Sequence, residues 1–125
     1  MKSYTDIEQS KNLAEILPLE SADCFWDYDG LQKFHRISWF EEDYNKESQL
    51  RLDENNVCAW SLAALLDVLP DEVVDNHYLT LDKEGKEYCC CYEDCNGNSF
   101  KHCFSDNPID ACVEMIIKLH ELKML

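Results

Sequence analysis

Apolar residues recur at helical spacing in three segments of the chain, which predicts three helices. The first segment runs from Asp6 to about Leu17 and is stopped by Pro18. The second is a leucine-rich stripe that ends before Pro70, and the third carries an apolar stripe as far as Leu122. Each pattern is typical of an amphipathic helix that buries one face.

Residues with helix-capping character precede each of these segments. Thr5 and Glu8 have the spacing of a capping box, and Ser61 is the N-cap candidate of the second helix. Asn107 precedes Pro108, which is predicted at the first helical position, where the missing N–H of proline costs nothing. Local chemistry therefore predicts the same helix starts as the periodicity.

Aromatic-rich or alternating segments predict five strands. Asp29-Gly30 is a hairpin turn signal between the first two, and Asn96-Gly97 is the favoured type I′ dipeptide between the last two. The polar stretch 41–56 is predicted to be mostly loop, with a short irregular strand near Leu50–Leu52. The predicted strands are Cys24–Tyr28, Gln32–Phe40, Tyr78–Leu81, Glu87–Glu93 and Ser99–Phe104.

The resulting element order is α-β-β-α-β-β-β-α, so the predicted fold class is α+β. The simplest architecture is an antiparallel sheet, made of an aromatic hairpin and a three-stranded meander, with the helices packed on one face. The chain has 125 residues, without a linker rich in Pro, Gly or Ser and without an internal repeat. These features predict a single domain over residues 1–125.

The chain carries a large excess of negative charge. Lysine and arginine number 11 against 26 aspartates and glutamates, which gives a formal net charge of −15. A field of this sign repels polyanions, so direct binding to DNA, RNA or an anionic membrane surface is not expected. The three glycines are too few for a glycine-rich phosphate cradle.

The N-terminal residues contain no apolar run of the kind found in signal peptides, and no stretch has the length of a transmembrane helix. A cytoplasmic location is therefore expected. In a reducing cytosol the eight cysteines should stay as thiols, and a buried thiol packs like a small hydrophobe.

Several cysteines cluster on the meander, and they are weak candidates for a zinc site together with His102. No Cys-x-x-Cys pair is present, so the favoured interpretation is a cysteine-lined strand packed on the helices, with no metal and no cofactor. A Cys–His nucleophile stays open as an alternative, because four histidines are available. The weak metal candidates are Cys89, Cys91, Cys95 and Cys103.

Two groups of polar residues superficially suggest metal chemistry but fit turns better. Asp94, Asn96 and Asn98 suggest a calcium loop, yet the glycine and terminal glutamate of such a loop are misplaced, so a β-turn is the preferred interpretation. Asp27 and Asp29 could belong to a metal-dependent hydrolase, and the turn that follows them explains them better.

Aromatic side chains concentrate on the predicted hairpin. With alternating strands, Trp26 and Tyr28 share one side, and one of the two hairpin faces is expected to be core. The other face would then be a partly exposed aromatic surface. Such a surface could stack a ligand ring while cations meet a phosphate. The candidate ligand-binding residues are Trp26, Tyr28, Lys33, Arg36 and Trp39.

A second candidate surface is the acidic run of Glu41, Glu42 and Asp43. Runs of this kind are commonly solvated loops that aid solubility. The functional interpretation is a patch that docks on a basic groove of a partner, with association steered by complementary fields.

Five segments form a layout that is shared with known proteins: Thr5–Gln9, Cys24–Trp26, Ser61–Pro70, His77–Leu81 and Asn107–Met115. This layout resembles small acidic proteins of unassigned function encoded by phages and prophages of gut bacteria. The resemblance spans nearly the whole chain and carries no catalytic residue across. It implies an accessory protein that blunts host immunity.

The leading hypothesis is a non-enzymatic phage-type binding protein that neutralises a host antiviral defence component in the bacterial cytosol. It could sequester a small nucleotide-derived signal, with a homo-oligomer enclosing the ligand, or it could block a basic site on a defence protein as an acidic mimic. The net charge favours the second mode. The alternative is a small thiol- or metal-dependent enzyme that acts on a small molecule.

Overall fold

The computed structural model describes residues 2–29, 34–40 and 56–125. These parts of the chain form three α-helices, one short 3₁₀ helix and two antiparallel three-stranded sheets, which confirms the α+β class. In chain order the elements are α1 (Ile7–Ala14), a 3₁₀ helix (Leu19–Ser21), β1 (Cys24–Asp29), β2 (Phe34–Trp39), β3 (Val57–Ala59), α2 (Leu62–Val68), β4 (Tyr78–Glu84), β5 (Glu87–Glu93), β6 (Ser99–Ser105) and α3 (Pro108–Glu121).

The hairpin and the meander are both present, but they belong to separate sheets in the described residues. The first sheet has the order β2-β1-β3 and the second the order β4-β5-β6. The third strand of the first sheet, β3, pairs with β1 so that Cys24 lies opposite Ala59. Its three residues are too few for a period-two pattern to be visible in the sequence. Gly30 and the predicted strand Leu50–Leu52 lie outside the described residues.

The first helix has a capping box one residue later than predicted. The Asp6 carboxylate accepts from the backbone N–H of Gln9, and the Gln9 side chain accepts from the Asp6 N–H. Thr5 is instead fully buried, where its hydroxyl bonds Ser10 at 2.7 Å and accepts from the Trp60 N–H at 3.1 Å. Tertiary bonding therefore takes Thr5 away from the capping role that local spacing predicts.

The other two helix starts confirm the predictions. The Ser61 hydroxyl accepts from the Ala64 N–H, and the Asn107 side chain accepts from the Asp110 N–H at 2.8 Å. Pro108 occupies the first turn of α3, as its fixed φ and missing donor favour. Local side-chain chemistry thus determines where α2 and α3 begin.

The turn between β5 and β6 differs from the predicted type I′ geometry. Gly97 has φ +82°, whereas Asn96 stays outside the positive-φ region. The Asp94 carboxylate accepts from the N–H groups of Asn96 and Asn98 and from the Asn98 side chain. Asp94 therefore organises a longer turn and works as a turn residue, in agreement with the interpretation preferred over a calcium loop.

One hydrophobic core joins both sheets and the helices. Helix α3 packs against β5 and β6, α1 packs against β3, and α2 packs against α3. The Tyr92 hydroxyl is satisfied by the Pro70 carbonyl at 2.7 Å, and the Trp60 indole N–H by the Ser21 hydroxyl at 2.9 Å. The largest fully buried side chains are Trp60, Tyr92, Leu13, Leu65, Leu69, Ile109, Met115, Ile116 and Leu119.

Candidate functional site

The β1–β2 hairpin sorts its side chains onto two different faces. The strand register places Trp26 opposite Ile37 and Tyr28 opposite His35, and Cys24 opposite Trp39. Because cross-strand partners share a face, one side of the hairpin carries both of its tryptophans together with Tyr28 and His35. We call this surface the aromatic face; it comprises Trp26, Tyr28, His35, Ile37 and Trp39.

The opposite face of the hairpin turns toward the core at one end. Phe25 is buried, and its ring lies 4.9 Å from that of Phe40, which packs on the core. Phe25 also lies opposite Cys58 of β3, a member of the core cluster. Phe25 is therefore part of the core, while His35 and Trp39 of the aromatic face stay exposed.

Two rings of the aromatic face contact neighbouring rings, and one of them is also held by a hydrogen bond. The Trp26 indole N–H donates to the Thr5 carbonyl at 3.0 Å, and its ring meets the Tyr4 ring edge-on at 5.4 Å. Tyr28 lies with its ring 5.0 Å from the imidazole of His35. A ring held by such contacts loses little further freedom on binding, which favours affinity.

Trp39 is the most exposed large hydrophobic residue of this face, at 53% of its full accessible area. It lies at the end of β2, across from the fully buried Cys24. A tryptophan presented in this way offers a large apolar area together with an indole N–H donor. It is the kind of side chain that anchors protein–protein contacts.

The cations predicted beside these rings are not brought to them in the described residues. Arg36 lies on the opposite face, where its Nε is 3.9 Å from Asp27 Oδ2. Strand alternation is the physical reason, because Arg36 is offset by one residue from His35 and Ile37. Lys33 lies outside the described residues, as do Glu41, Glu42 and Asp43 of the predicted acidic patch.

An open cleft of about 370 Å³ adjoins Trp26, and it contains a compensated cation. Lys2 Nζ donates to Asp110 Oδ1 at 2.8 Å and to Asp6 Oδ2 at 3.0 Å. Burial by itself lowers the pKa of Lys2, but its bonds to these two carboxylates outweigh this effect and hold the pKa above its usual value. Two carboxylates around one ammonium make this cleft a poor place for an anion.

The meander cysteines are divided between two environments. Cys89 and Cys91 lie on the face of β5 that turns away from α3, whereas Cys103 pairs with Cys90 on the core face. Cys95 is exposed in the turn. No group of three or more Cys, His, Asp or Glu in the described parts of the chain has the arrangement of a metal site.

Burial also makes three of the meander thiols, those of Cys90, Cys91 and Cys103, poor nucleophiles. It raises the pKa of Cys91 to about 12 and that of Cys103 to about 11. Contact with Cys112, together with burial, raises the pKa of Cys90 far above the usual range. At neutral pH these thiols are protonated, and a protonated thiol neither attacks nor binds a metal well.

The register places His102 across from Cys91, a proximity that the sequence suggested for the candidate zinc site. The Cys91 sulfur instead contacts the Thr80 hydroxyl at 2.8 Å and the Glu93 carboxylate at 3.3 Å. The imidazole of His102 packs beside the Phe104 ring, with 5.3 Å between centroids. This arrangement does not resemble a thiolate–imidazolium pair.

Sequence reasoning missed a second exposed surface, on the meander. Tyr78 and Phe104 lie on the same side of the β4-β5-β6 sheet and are 51% and 44% exposed. The sequence contained a signal for this surface. Once Cys90 and Tyr92 are assigned to the core side, the period-two alternation of the strands places Tyr78 and Phe104 on the outer side.

Among the helices of the described residues, none combines the length and the apolar character needed to cross a bilayer. Comparison with known proteins finds no matching family model, no matching curated protein and no matching solved structure.

Proposed function

We propose that this protein is a non-enzymatic binding protein that docks on a host antiviral defence protein through its aromatic face. The observation that carries the proposal is the exposure of Trp39, at 53%, beside rings that the fold holds in place. Tryptophan, tyrosine and arginine are the residues most enriched where binding energy concentrates in protein interfaces, and this face carries the first two. The phage-type resemblance supplies the class of partner.

A protein partner fits this surface better than a phosphate-bearing signal. None of the described residues on the aromatic face is lysine or arginine, and Arg36 turns to the other side to meet Asp27. A phosphate would therefore find rings but little positive charge there, in the field of a chain with net charge −15. The same charge would speed encounter with a basic protein.

An enzymatic role has less support than a binding role. The alternative enzyme needs an ionised thiol or a bound metal, and burial keeps the Cys91 and Cys103 thiols protonated at neutral pH. Docking requires only an exposed and preorganised surface.

A phage-plating assay tests the proposal. The chain is expressed in bacterial strains that each carry one antiviral defence system, and plating of a susceptible phage is counted. We expect the wild type to restore plating on at least one strain, and Trp39→Ser to lose most of this effect. Leu122→Ser, which removes another large side chain that is 46% exposed, is the matched control and should act like wild type. Full activity of Trp39→Ser, or no responsive strain, would contradict the proposal.

A second assay separates protein docking from signal sequestration and from catalysis. Purified protein is mixed with cyclic dinucleotides or cyclic ADP-ribose-type signals, removed by filtration and heated. An unchanged concentration of the signal in the filtrate agrees with protein docking. Depletion followed by release of intact ligand would replace docking by sequestration, and release of altered ligand would identify an enzyme.

A further inference from the structure

The side of the β4-β5-β6 sheet that turns away from α3 is a surface with its own composition. Side chains of the core lie on the other side, where Cys90 pairs with Cys103 and Tyr92 is fully buried. The residues next to these along each strand point to the opposite side of the sheet, which faces outward. We call this surface the outer meander face; its main exposed or charged residues are Tyr78, His102, Phe104, Asp82, Glu84, Glu87 and Glu93.

Two aromatic residues lie on the outer strands of this face. Tyr78 on β4 and Phe104 on β6 are both exposed, while Cys89 and Cys91 between them on β5 are buried. The contact of the Thr80 hydroxyl with the Cys91 sulfur closes the surface between the strands. The face therefore offers an apolar centre that is shallow and already packed.

Charge is segregated between the two sides of this sheet. Four carboxylates turn outward, whereas the two lysines within the strands turn to the other side. There Lys83 Nζ lies 5.5 Å from the centroid of the Tyr88 ring, and Lys101 Nζ lies 6.0 Å from that of Phe100. Every residue of β4, β5 and β6 is described, and none of those that turn outward is lysine or arginine.

Negative charge extends to the centre of the face, where the Glu93 carboxylate accepts from the Cys91 thiol at 3.3 Å. Burial raises the pKa of the Cys89 thiol, and the charges of three of the carboxylates raise it further. The face thus has aromatic residues on both outer strands, with the His102 imidazole beside Phe104, and its carboxylates are accompanied by no lysine or arginine. Its natural complement is apolar at the centre and positive at the rim.

We infer that the outer meander face docks a basic surface of another protein, one that presents an apolar side chain surrounded by lysine or arginine. A second copy of this chain is a poor occupant, because four carboxylates would face four carboxylates. A nucleic acid is repelled for the same reason. This inference goes beyond the proposed function, because it assigns a second surface on a different sheet.

The test uses a defined probe, a short amphipathic helical peptide of leucine and lysine, with a leucine–glutamate peptide as its negative counterpart. Binding is followed by fluorescence anisotropy of the labelled peptide and by chemical-shift mapping. One double variant, Asp82→Asn with Glu87→Gln, removes two charges from the face. Its matched control, Glu15→Gln with Glu121→Gln, removes two exposed charges elsewhere. The two double variants therefore have the same net charge as each other.

We expect the wild type to bind the cationic peptide with shifts centred on Tyr78 and Phe104. The face variant should bind about fivefold more weakly and the matched control within about twofold of wild type. Phe104→Ser should also weaken binding, and Trp39→Ser should leave it unchanged, which separates this inference from the proposed function. Equal losses in both double variants, shifts elsewhere, absence of binding, or self-association through the same residues would overturn it.

Discussion

Arg36 lies across the hairpin from Asp27, with 3.9 Å between Arg36 Nε and Asp27 Oδ2, on the face opposite Trp39. The guanidinium therefore lies away from the rings beside which the sequence placed it. The cause is the strand register, which pairs Trp26 with Ile37 and leaves the aromatic face without this cation.

Arg36→Ser should therefore leave partner binding intact. The ion pair is exposed, and exposed pairs contribute less than about 1 kcal/mol, so unfolding in urea should change little. Plating rescue by this variant should match wild type. If Arg36→Ser abolished plating rescue without lowering stability, Arg36 would instead belong to the binding site. This is what the predicted ligand site of rings and cations requires.

The candidate site was only partly predictable from the sequence, for geometric reasons. Alternation along one strand predicts that Trp26 and Tyr28 share a side, and this needs no knowledge of the partner strand. Which residues of β2 join them depends on the register, which here pairs Trp26 with Ile37. A shift of one residue would have brought Arg36 to the rings and taken Trp39 away.

Asp110 connects the N-terminal segment to α3, and its loss should destabilise the fold near neutral pH. Its carboxylate accepts from Lys2 at 2.8 Å, Gln9 at 2.7 Å and Asn107 at 2.7 Å. Burial by itself raises the pKa of Asp110, but these bonds outweigh it and hold the pKa below the usual value. Asp110→Asn should lower the free energy of unfolding at pH 7 by about 1–2 kcal/mol.

The same group gives a pH dependence of defined sign. A carboxyl whose pKa is lower in the folded state stabilises above its unfolded pKa of about 3.9, and this contribution is lost as the pH falls through the folded value. The stability difference between wild type and Asp110→Asn should thus be full at pH 7 and shrink below about pH 4. Urea unfolding at several pH values measures it, with Glu121→Gln as a control. A difference independent of pH would exclude the carboxylate as its source.

Native thiol labelling should single out Cys95. It is exposed, whereas the other seven cysteines are buried. Labelling with a thiol-specific disulfide reagent, read by mass spectrometry, should give one fast adduct that Cys95→Ser removes. The remaining thiols should react only in denaturant. Rapid modification of Cys89 or Cys91 in the folded protein would contradict their burial and reopen the thiol-enzyme alternative.

Gly97 should tolerate asparagine better than alanine. Its φ of +82° is strained for residues with a side chain, although a Cβ added there meets nothing within 4 Å. The cost of Gly97→Ala is then conformational and should be about 1 kcal/mol, while Gly97→Asn should cost less, because asparagine visits this region more readily. Thermal unfolding of both variants measures the difference. Equal midpoints for wild type and Gly97→Ala would contradict the turn geometry.

Local chemistry predicts the elements of this fold better than their assembly. Ser61 and Asn107 cap their helices as the sequence indicates, because capping needs only neighbouring residues. Thr5 does not cap α1, because Trp60, distant along the chain, takes its hydroxyl. The division into two sheets depends on the pairing of β3 with β1, a contact that no local pattern specifies.

Calorimetric titration tests the central claim most directly, once plating has identified a responsive defence system. Purified wild type, Trp39→Ser and Leu122→Ser are each titrated into the purified protein components of that system. We predict stoichiometric binding by wild type, a loss of at least about 2 kcal/mol for Trp39→Ser, and Leu122→Ser within about twofold of wild type. Binding by Trp39→Ser that equals wild type would contradict the account.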